Sequence, residues 1–332
     1  MKKIAITSIF ANVTYNDTNH RGLEAMFIKE LMETKGAEVD IVCYKNRNVK
    51  DLDFYRDYTE TDFSEYGAVI IQLSTPNFFG GQIGEHTEKI CNDLAKYAGK
   101  VYFMLSDPRI PPMNYAKILS ERFDKCTDSI EAWDKIIETA TYLFAGKSVE
   151  QFIGWQPKNW QHVDWFIYIF KKLYEKRGIA DPDANFEKTH DLVYYGDRRG
   201  TFREQQLRKY FPKDTKNLLI GYKSDKVPGE FIKKLKHDEL MEQLNHVKVS
   251  LVTGDEEHMN NVVTFRFYET LASNCLAAIQ IEYDPEKKLI QDPELRDLLY
   301  VSSQEDVKRL IDAYSPELVK KQQAELKRLF NV

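Results

Sequence analysis

Arg266 and Glu269 stand three positions apart in NNVVTFRFYETLASNCLAAI, the stretch that begins at Asn260. In a helix that spacing puts both side chains on one face, where they can address one ligand together. A cation that neutralises phosphate beside a carboxylate that accepts from ribose hydroxyls suits a sugar nucleotide. An isolated Arg-x-x-Glu is more often a surface salt bridge, so the pair gains meaning only from the rest of the chain. A second loaded stretch, Gly196-Asp-Arg-Arg-Gly-Thr-Phe-Arg-Glu204, lies between a predicted strand and a predicted helix. A glycine-bearing turn there exposes backbone N–H groups and the positive end of the helix, which together form an anion site. Arg199 and Arg203 are four apart and can converge on that anion; a solvated basic helix start is the plainer alternative. Neither the dinucleotide fingerprint nor a Walker loop is present.

A third stretch, Ser106-Asp-Pro-Arg-Ile-Pro-Pro112, follows a predicted strand. Asp107 sits just past the strand end on a proline-stiffened turn, the place from which a general base is often presented. On spacing alone a turn cap is the simpler reading, because Asp before Pro commonly initiates turns. The fourth is Thr75-Pro-Asn-Phe-Phe-Gly-Gly81. Phe78 and Phe79 beside Gly80 and Gly81 form either a mobile loop at the sheet edge or a plug over the core.

The elements that carry these stretches follow from hydrophobic periodicity. Strands are predicted at 3–9, 38–44, 68–73, 101–105 and near 143–144, with helices at 20–36, 83–97 and 163–177. Residues 45–67 read as a charged connection. The polar segment 178–190 reads as a linker. Beyond it the pattern restarts with strands at 191–195, 217–222, 247–252, 276–281 and 299–301, and helices at 201–210, around 231–244, after Asn261, and at 304–314 and 316–330. Parallel strands joined by long crossovers give two doubly wound α/β domains with a cleft between them. In such sheets ligands sit at the carboxyl ends of the strands. The expected division is 1–177, a linker at 178–190 and a second domain at 191–314. The amphipathic helix at 315–332 is expected to pack back on the first domain.

The chain has 332 residues, 42% hydrophobic and 30% charged, with a net charge of −5. This is an ordinary globular composition of two-domain size, and it gives no general support to a nucleic-acid partner, so any such partner requires a local basic face. No apolar run reaches membrane-spanning length and no signal peptide is expected. The 4 cysteines and 7 histidines lie scattered, which offers no metal-binding spacing.

The motifs NFFGG, SDPRIP, YGDRRGTFREQ and TFRFYETLAS occur in the order and at roughly the intervals of the DNA β-glucosyltransferases of T-even phages, and the chain resembles that family over most of its length. The resemblance implies a GT-B fold of two Rossmann-like domains. It also implies an inverting, single-displacement transfer of glucose from UDP-glucose to 5-hydroxymethylcytosine in duplex DNA. By this resemblance Asp107 is the catalytic base and Glu24, with a one-residue shift, contacts the sugar. Arg199, Arg203 and Arg266 hold the donor phosphates with the backbone of Gly196, Glu269 binds the ribose hydroxyls, and Leu235 lies at the uracil through its backbone. Asp197 stands where the family has a serine, which puts an anion beside the pyrophosphate. The target base must leave the stack to react; Asn77, Phe78, Phe79, Gly80, Gly81 and Arg109 are candidates to hold it or its DNA. Mg2+ or Mn2+ can assist the diphosphate, as in the family, although no carboxylate cluster demands a metal. A monomer in the cytoplasm, that of the host cell for a phage protein, is expected. Another sugar such as arabinose, hydroxymethyluracil as the base, a non-DNA acceptor and a non-catalytic nucleotide- or DNA-binding protein of the same fold stay open.

Overall fold

The computed structural model describes residues 3–8, 20–43, 53–57, 60–72, 92–105, 130–144, 157–163, 165–196, 200–254 and 263–331. By contacts the chain divides into two compact units, Met1–Trp165 and Phe166–Val332. Each is built on one parallel sheet.

In the first unit seven strands, β1 (Lys3–Ser8), β2 (Glu38–Cys43), β3 (Tyr55–Asp57), β4 (Ala68–Gln72), β5 (Lys100–Leu105), β6 (Thr141–Phe144) and β7 (Trp160–His162), lie in the order β3-β2-β1-β4-β5-β6-β7. Every pairing is parallel. Parallel strands covered on both faces read as near-continuous apolar runs. Ala5, Ile6, Val69, Ile71 and Met104 are accordingly buried almost completely. Helix α1 (His20–Thr34) buries Ala25, Phe27 and Ile28 and ends at Gly36, whose φ of +77° suits a glycine. Helix α2 (Ile130–Thr139) precedes β6. Of the predicted helix at 83–97, residues 92–95 are helical and 83–91 lie outside the described residues.

The second unit orders its six strands β10-β9-β8-β11-β12-β13, again all parallel. They are β8 (His190–Tyr195), β9 (Asn217–Ile220), β10 (Glu230–Ile232), β11 (Val247–Val252), β12 (Leu276–Gln280) and β13 (Tyr300–Val301). This is the doubly wound arrangement, with its switch point between β8 and β11. The helices are α3 (Trp165–Arg177), α4 (Gly200–Tyr210), α5 (His237–Asn245), α6 (Phe265–Ala272), α7 (Pro293–Leu299), α8 (Gln304–Asp312) and α9 (Pro316–Leu329). The apolar run after α6 is indeed a strand, and all five residues of β12 are buried between β11 and β13.

Several predicted elements need correction. The charged connection contains β3, a three-residue edge strand too short to show a period. Phe231 belongs to the short edge strand β10 and the helix begins only at His237. Helices α2 and α7 and strand β7 were not predicted. Helix α3 belongs with the second unit, where Phe170 packs on Phe265 and Tyr268 with ring centroids 4.8 and 4.6 Å apart. Helix α9 contacts α6, α7 and β12 within the same unit.

Polar anchors as well as apolar contacts hold α9 there. Gln322 is fully buried; its Oε1 accepts from the Ala277 N–H at 2.8 Å and its Nε2 donates to the Cys275 carbonyl at 2.9 Å. These groups open β12 on the side of α6. A buried backbone donor or acceptor left unmade costs far more than a formed bond contributes net. Gln322→Leu keeps the volume approximately but orphans both groups. It is expected to destabilise the second unit by about 2 to 4 kcal/mol, read from urea unfolding followed by hydrogen exchange in β12.

Candidate functional site

Tyr195 and Val252 end the neighbouring strands β8 and β11 at the switch point of the second sheet, and Gly196, Arg203 and Arg266 lie by that edge. Arg266 reaches there from the first turn of α6. Its Nε and Nη2 donate to the Tyr195 carbonyl at 3.1 and 2.6 Å, and its Nη1 donates to the carbonyl of Thr253. One guanidinium thus ties the carboxyl ends of two adjacent strands. Its planar fork is suited to this in a way that a lysine ammonium is not. The cation also lies over the rings of Tyr194 and Tyr195, with Cζ 4.7 and 5.2 Å from their centroids.

Helix α6 itself is held at its start by Tyr283. The buried phenol oxygen accepts from the Thr264 N–H and donates to Thr264 Oγ1 at 3.2 Å, and burial pushes its pKa up to about 12. The donors at a helix N-terminus need partners, and Thr264 does not cap α6 with its own side chain.

Gly196 continues the ladder from β8 by donating to the Ile220 carbonyl at 3.0 Å. Its φ of +140° belongs to glycine. A Cβ placed on it would meet Arg266 Nη2 at 2.7 Å and the Tyr194 hydroxyl at 3.1 Å. Glycine is therefore required twice, by the backbone angle and by the closeness of the arginine.

Arg203, one turn into α4, is buried. Its Nη1 donates to the Tyr194 hydroxyl, and its Cζ lies 5.6 Å from that ring's centroid. Tyr194 is thus shared by Arg203 and Arg266. Two cations are held near one aromatic ring, whose face attracts positive charge. Arg199 and the neighbouring Asp197 lie outside the described residues.

Glu269, one turn beyond Arg266, is buried with His237, the first residue of α5; Nδ1 of the histidine is 3.3 Å from Oε1 of the glutamate. Its charge is felt by two phenols. Burial first, then the Glu269 carboxylate, raises Tyr174 and Tyr195 well above the ordinary tyrosine value. The Tyr195 hydroxyl donates to the Arg266 carbonyl at 3.2 Å. The Arg266–Glu269 pair is therefore no surface salt bridge: each side chain has its own buried or half-buried partners. Leu235 packs its side chain on the core around Val193, Tyr195 and Leu244.

In the first unit β4 and β5 end side by side at Gln72 and Leu105. The segments carrying Asn77, Phe78, Phe79, Gly80 and Gly81, and Asp107 with Arg109, follow those ends and lie outside the described residues. Glu24 is in α1, and its side chain lies outside the described residues too. Among the described residues no three His, Cys, Asp or Glu side chains come together as a metal cage, and no helix is long and apolar enough to cross a membrane.

Sequence reading missed Tyr194, Thr253, Tyr283 and His237. Tyr194 and Tyr195 adjoin the glycine turn, and that adjacency was the available signal. His237 carries none, because its partner is 32 positions away.

The two parallel sheets and the cation-bearing switch point define a GT-B fold, the two-domain architecture of many nucleotide-sugar-dependent glycosyltransferases. The family model described as "Bacteriophage T4 beta-glucosyltransferase" matches residues 1–122. The chain is 24% identical over 313 residues to the DNA beta-glucosyltransferase of Enterobacteria phage T4, covering 87% of this chain and 84% of that protein. The solved structure of T4 phage BGT in complex with UDP and Mn2+ aligns with a TM-score of 0.74 at 20% identity, covering 100% of this chain and 95% of that one. A structure of an alpha-glucosyltransferase with UDP and a DNA 13-mer containing an HMU base aligns at 0.56 and 11% identity, over 99% and 94% of the two chains. The resemblance carried by the four ordered motifs holds across both units.

Gly196→Ala is expected to destabilise the second unit by about 1 to 3 kcal/mol, the usual cost of a strained backbone position, and to displace Arg266. Denaturant unfolding together with the Arg266 Nε–H resonance by NMR checks both effects.

Proposed function

We propose that this chain is an inverting glycosyltransferase that moves glucose from UDP-glucose to the hydroxyl of a 5-hydroxymethylated pyrimidine, hydroxymethylcytosine foremost, in duplex DNA. The observation that carries the reading is the fixed guanidinium of Arg266 at the switch point, joined through Tyr194 to Arg203 and approached by Gly196. A preorganised cation at the carboxyl edge of a doubly wound sheet fits a diphosphate. The similarity to a DNA-modifying phage enzyme over most of the chain supports the acceptor, and solved relatives with UDP-glucose support the donor.

In the reaction, the hydroxymethyl oxygen attacks the anomeric carbon as the bond to the UDP oxygen breaks. Asp107 takes the hydroxyl proton; an aspartate of ordinary acidity is ionised near neutral pH and can do so without a large shift. The negative charge growing on the leaving diphosphate is met by Arg199, Arg203 and Arg266. A Mg2+ or Mn2+ ion on the diphosphate would add to the same neutralisation. Glu269 accepts from the ribose hydroxyls, the backbone at Leu235 reads the uracil, and Glu24 orients the sugar. The acceptor base leaves the duplex stack, and Asn77, Phe78, Phe79, Gly80, Gly81 and Arg109 hold it and the neighbouring phosphates. With a net charge of −5, the DNA contact depends on a local basic rim and weakens steeply with salt. The protein works as a monomer in the cytoplasm.

The test is transfer of labelled sugar from a panel of UDP-sugars to duplexes containing hydroxymethylcytosine, hydroxymethyluracil or neither. Label is expected from UDP-glucose on hydroxymethylated duplex alone. Asp107→Asn should abolish transfer and leave UDP binding unchanged in titration calorimetry; near-normal turnover in that variant would remove Asp107 from the role of base.

A further inference from the structure

We infer that His237 is a positioning residue for the donor nucleotide: it fixes the carboxylate of Glu269 so that this carboxylate distinguishes ribose from deoxyribose. The inference rests on the reading of Glu269 as the acceptor for the ribose hydroxyls and adds a residue to it.

The argument begins with burial. Glu269 and His237 have side-chain exposures of only 6% and 5%. A carboxylate removed from water must be paired or strongly hydrogen-bonded. His237 is one such partner, with Nδ1 3.3 Å from Oε1. The imidazole's other nitrogen decides its tautomer. Nε2 is buried without a hydrogen-bond partner among the described residues. A proton placed there would be an N–H with nothing to accept it, whereas a proton on Nδ1 is donated to a carboxylate. Burial of an unmade donor is the costlier outcome, so the geometry favours a proton on Nδ1, donated to Glu269. This is the arrangement in which a histidine orients a functional carboxylate.

The location supports the same role. His237 is the first residue of α5, two positions after Leu235, and Glu269 is one helical turn from Arg266. The backbone proposed to meet the base and the histidine thus lie two positions apart at the start of α5, and the carboxylate and the phosphate-facing arginine lie one turn apart on α6. A carboxylate with one oxygen engaged by a fixed donor has its rotamer set before the ligand arrives, so less freedom is lost on binding. The chain holds a purely structural pair apart from this role in one respect. A structural pair would affect all nucleotides equally, whereas an orienting pair affects UDP, with both hydroxyls, more than 2′-deoxy-UDP, with one.

The experiment is titration calorimetry of the full chain with UDP and with 2′-deoxy-UDP. The wild type should prefer UDP by about tenfold or more, the discrimination expected of hydrogen bonds to a charged group. His237→Phe keeps ring volume and removes the donor; it should reduce that ratio towards one by weakening UDP more than 2′-deoxy-UDP, which has only the 3′-hydroxyl to lose. His237→Asn, whose amide nitrogen takes the place of Nδ1, should restore most of the ratio. Binding of 2′-deoxy-UDP shows in each case that the variant is folded. A ratio that stays at the wild-type value in His237→Phe, or is lost equally in His237→Phe and His237→Asn, overturns the inference. Glu269→Gln separates it from its foundation. Loss of the ratio there, with the ratio kept in His237→Phe, sinks the positioning role alone; a ratio kept in Glu269→Gln removes the ribose assignment itself.

Discussion

The Arg266 guanidinium binds the carbonyls of Tyr195 and Thr253, and much of the second unit is arranged around that contact. Strands β8 and β11 are neighbours whose connections depart in opposite directions, which leaves a crevice and unpaired carbonyls at their ends. An edge of carbonyls alone would repel a diphosphate. A guanidinium laid across it satisfies the acceptors and brings a positive charge to the sheet end. The other features follow from keeping that group still. Gly196 has no side chain because Nη2 occupies the space. Tyr194 offers a ring to Arg266 and a hydroxyl to Arg203. Tyr283 secures the start of the helix that carries the arginine.

Behind this charged edge lies a buried polar layer. Glu269, His237, Tyr174 and Tyr195 bring ionisable groups into the same low-dielectric region, where an unpaired charge is expensive. The phenols remain protonated, since burial and the nearby carboxylate both disfavour their anions. Gln322 does comparable work without charge, by closing the backbone groups at the start of β12. Apolar packing gives the unit its cohesion, and these polar partners give its helices a single position on the sheet.

Motif and period made the central elements visible. The strands that end in Tyr195, Val252 and Gln280 are apolar runs bounded by turn residues, and the helix with Arg266 is amphipathic, so local pattern and global packing agree there. Beta strands β3, β7 and β10 have three residues each and pair at sheet edges; three residues cannot show a period of two convincingly. Helix α5 begins later than its apolar periodicity implies because residues 230–232 are drawn into pairing with β9, a tertiary override of helical propensity. The grouping of α3 with the second unit rests on Phe170 meeting Phe265 and Tyr268, rings nearly a hundred positions away in the chain.

By itself, the sequence determined the fold class, the order of the parallel strands' elements and the types of residue at the sheet ends. Those depend on periodicity, glycine placement and charge, all of which are local. Tertiary structure alone decided which partners those residues take. Arg266 and Glu269 look like a pair in the sequence, yet one holds strand carbonyls and the other lies against His237. Spacing along a helix says which side chains share a face, whereas the partners come from β8, β11 and α5, and only folding brings those segments within bonding distance.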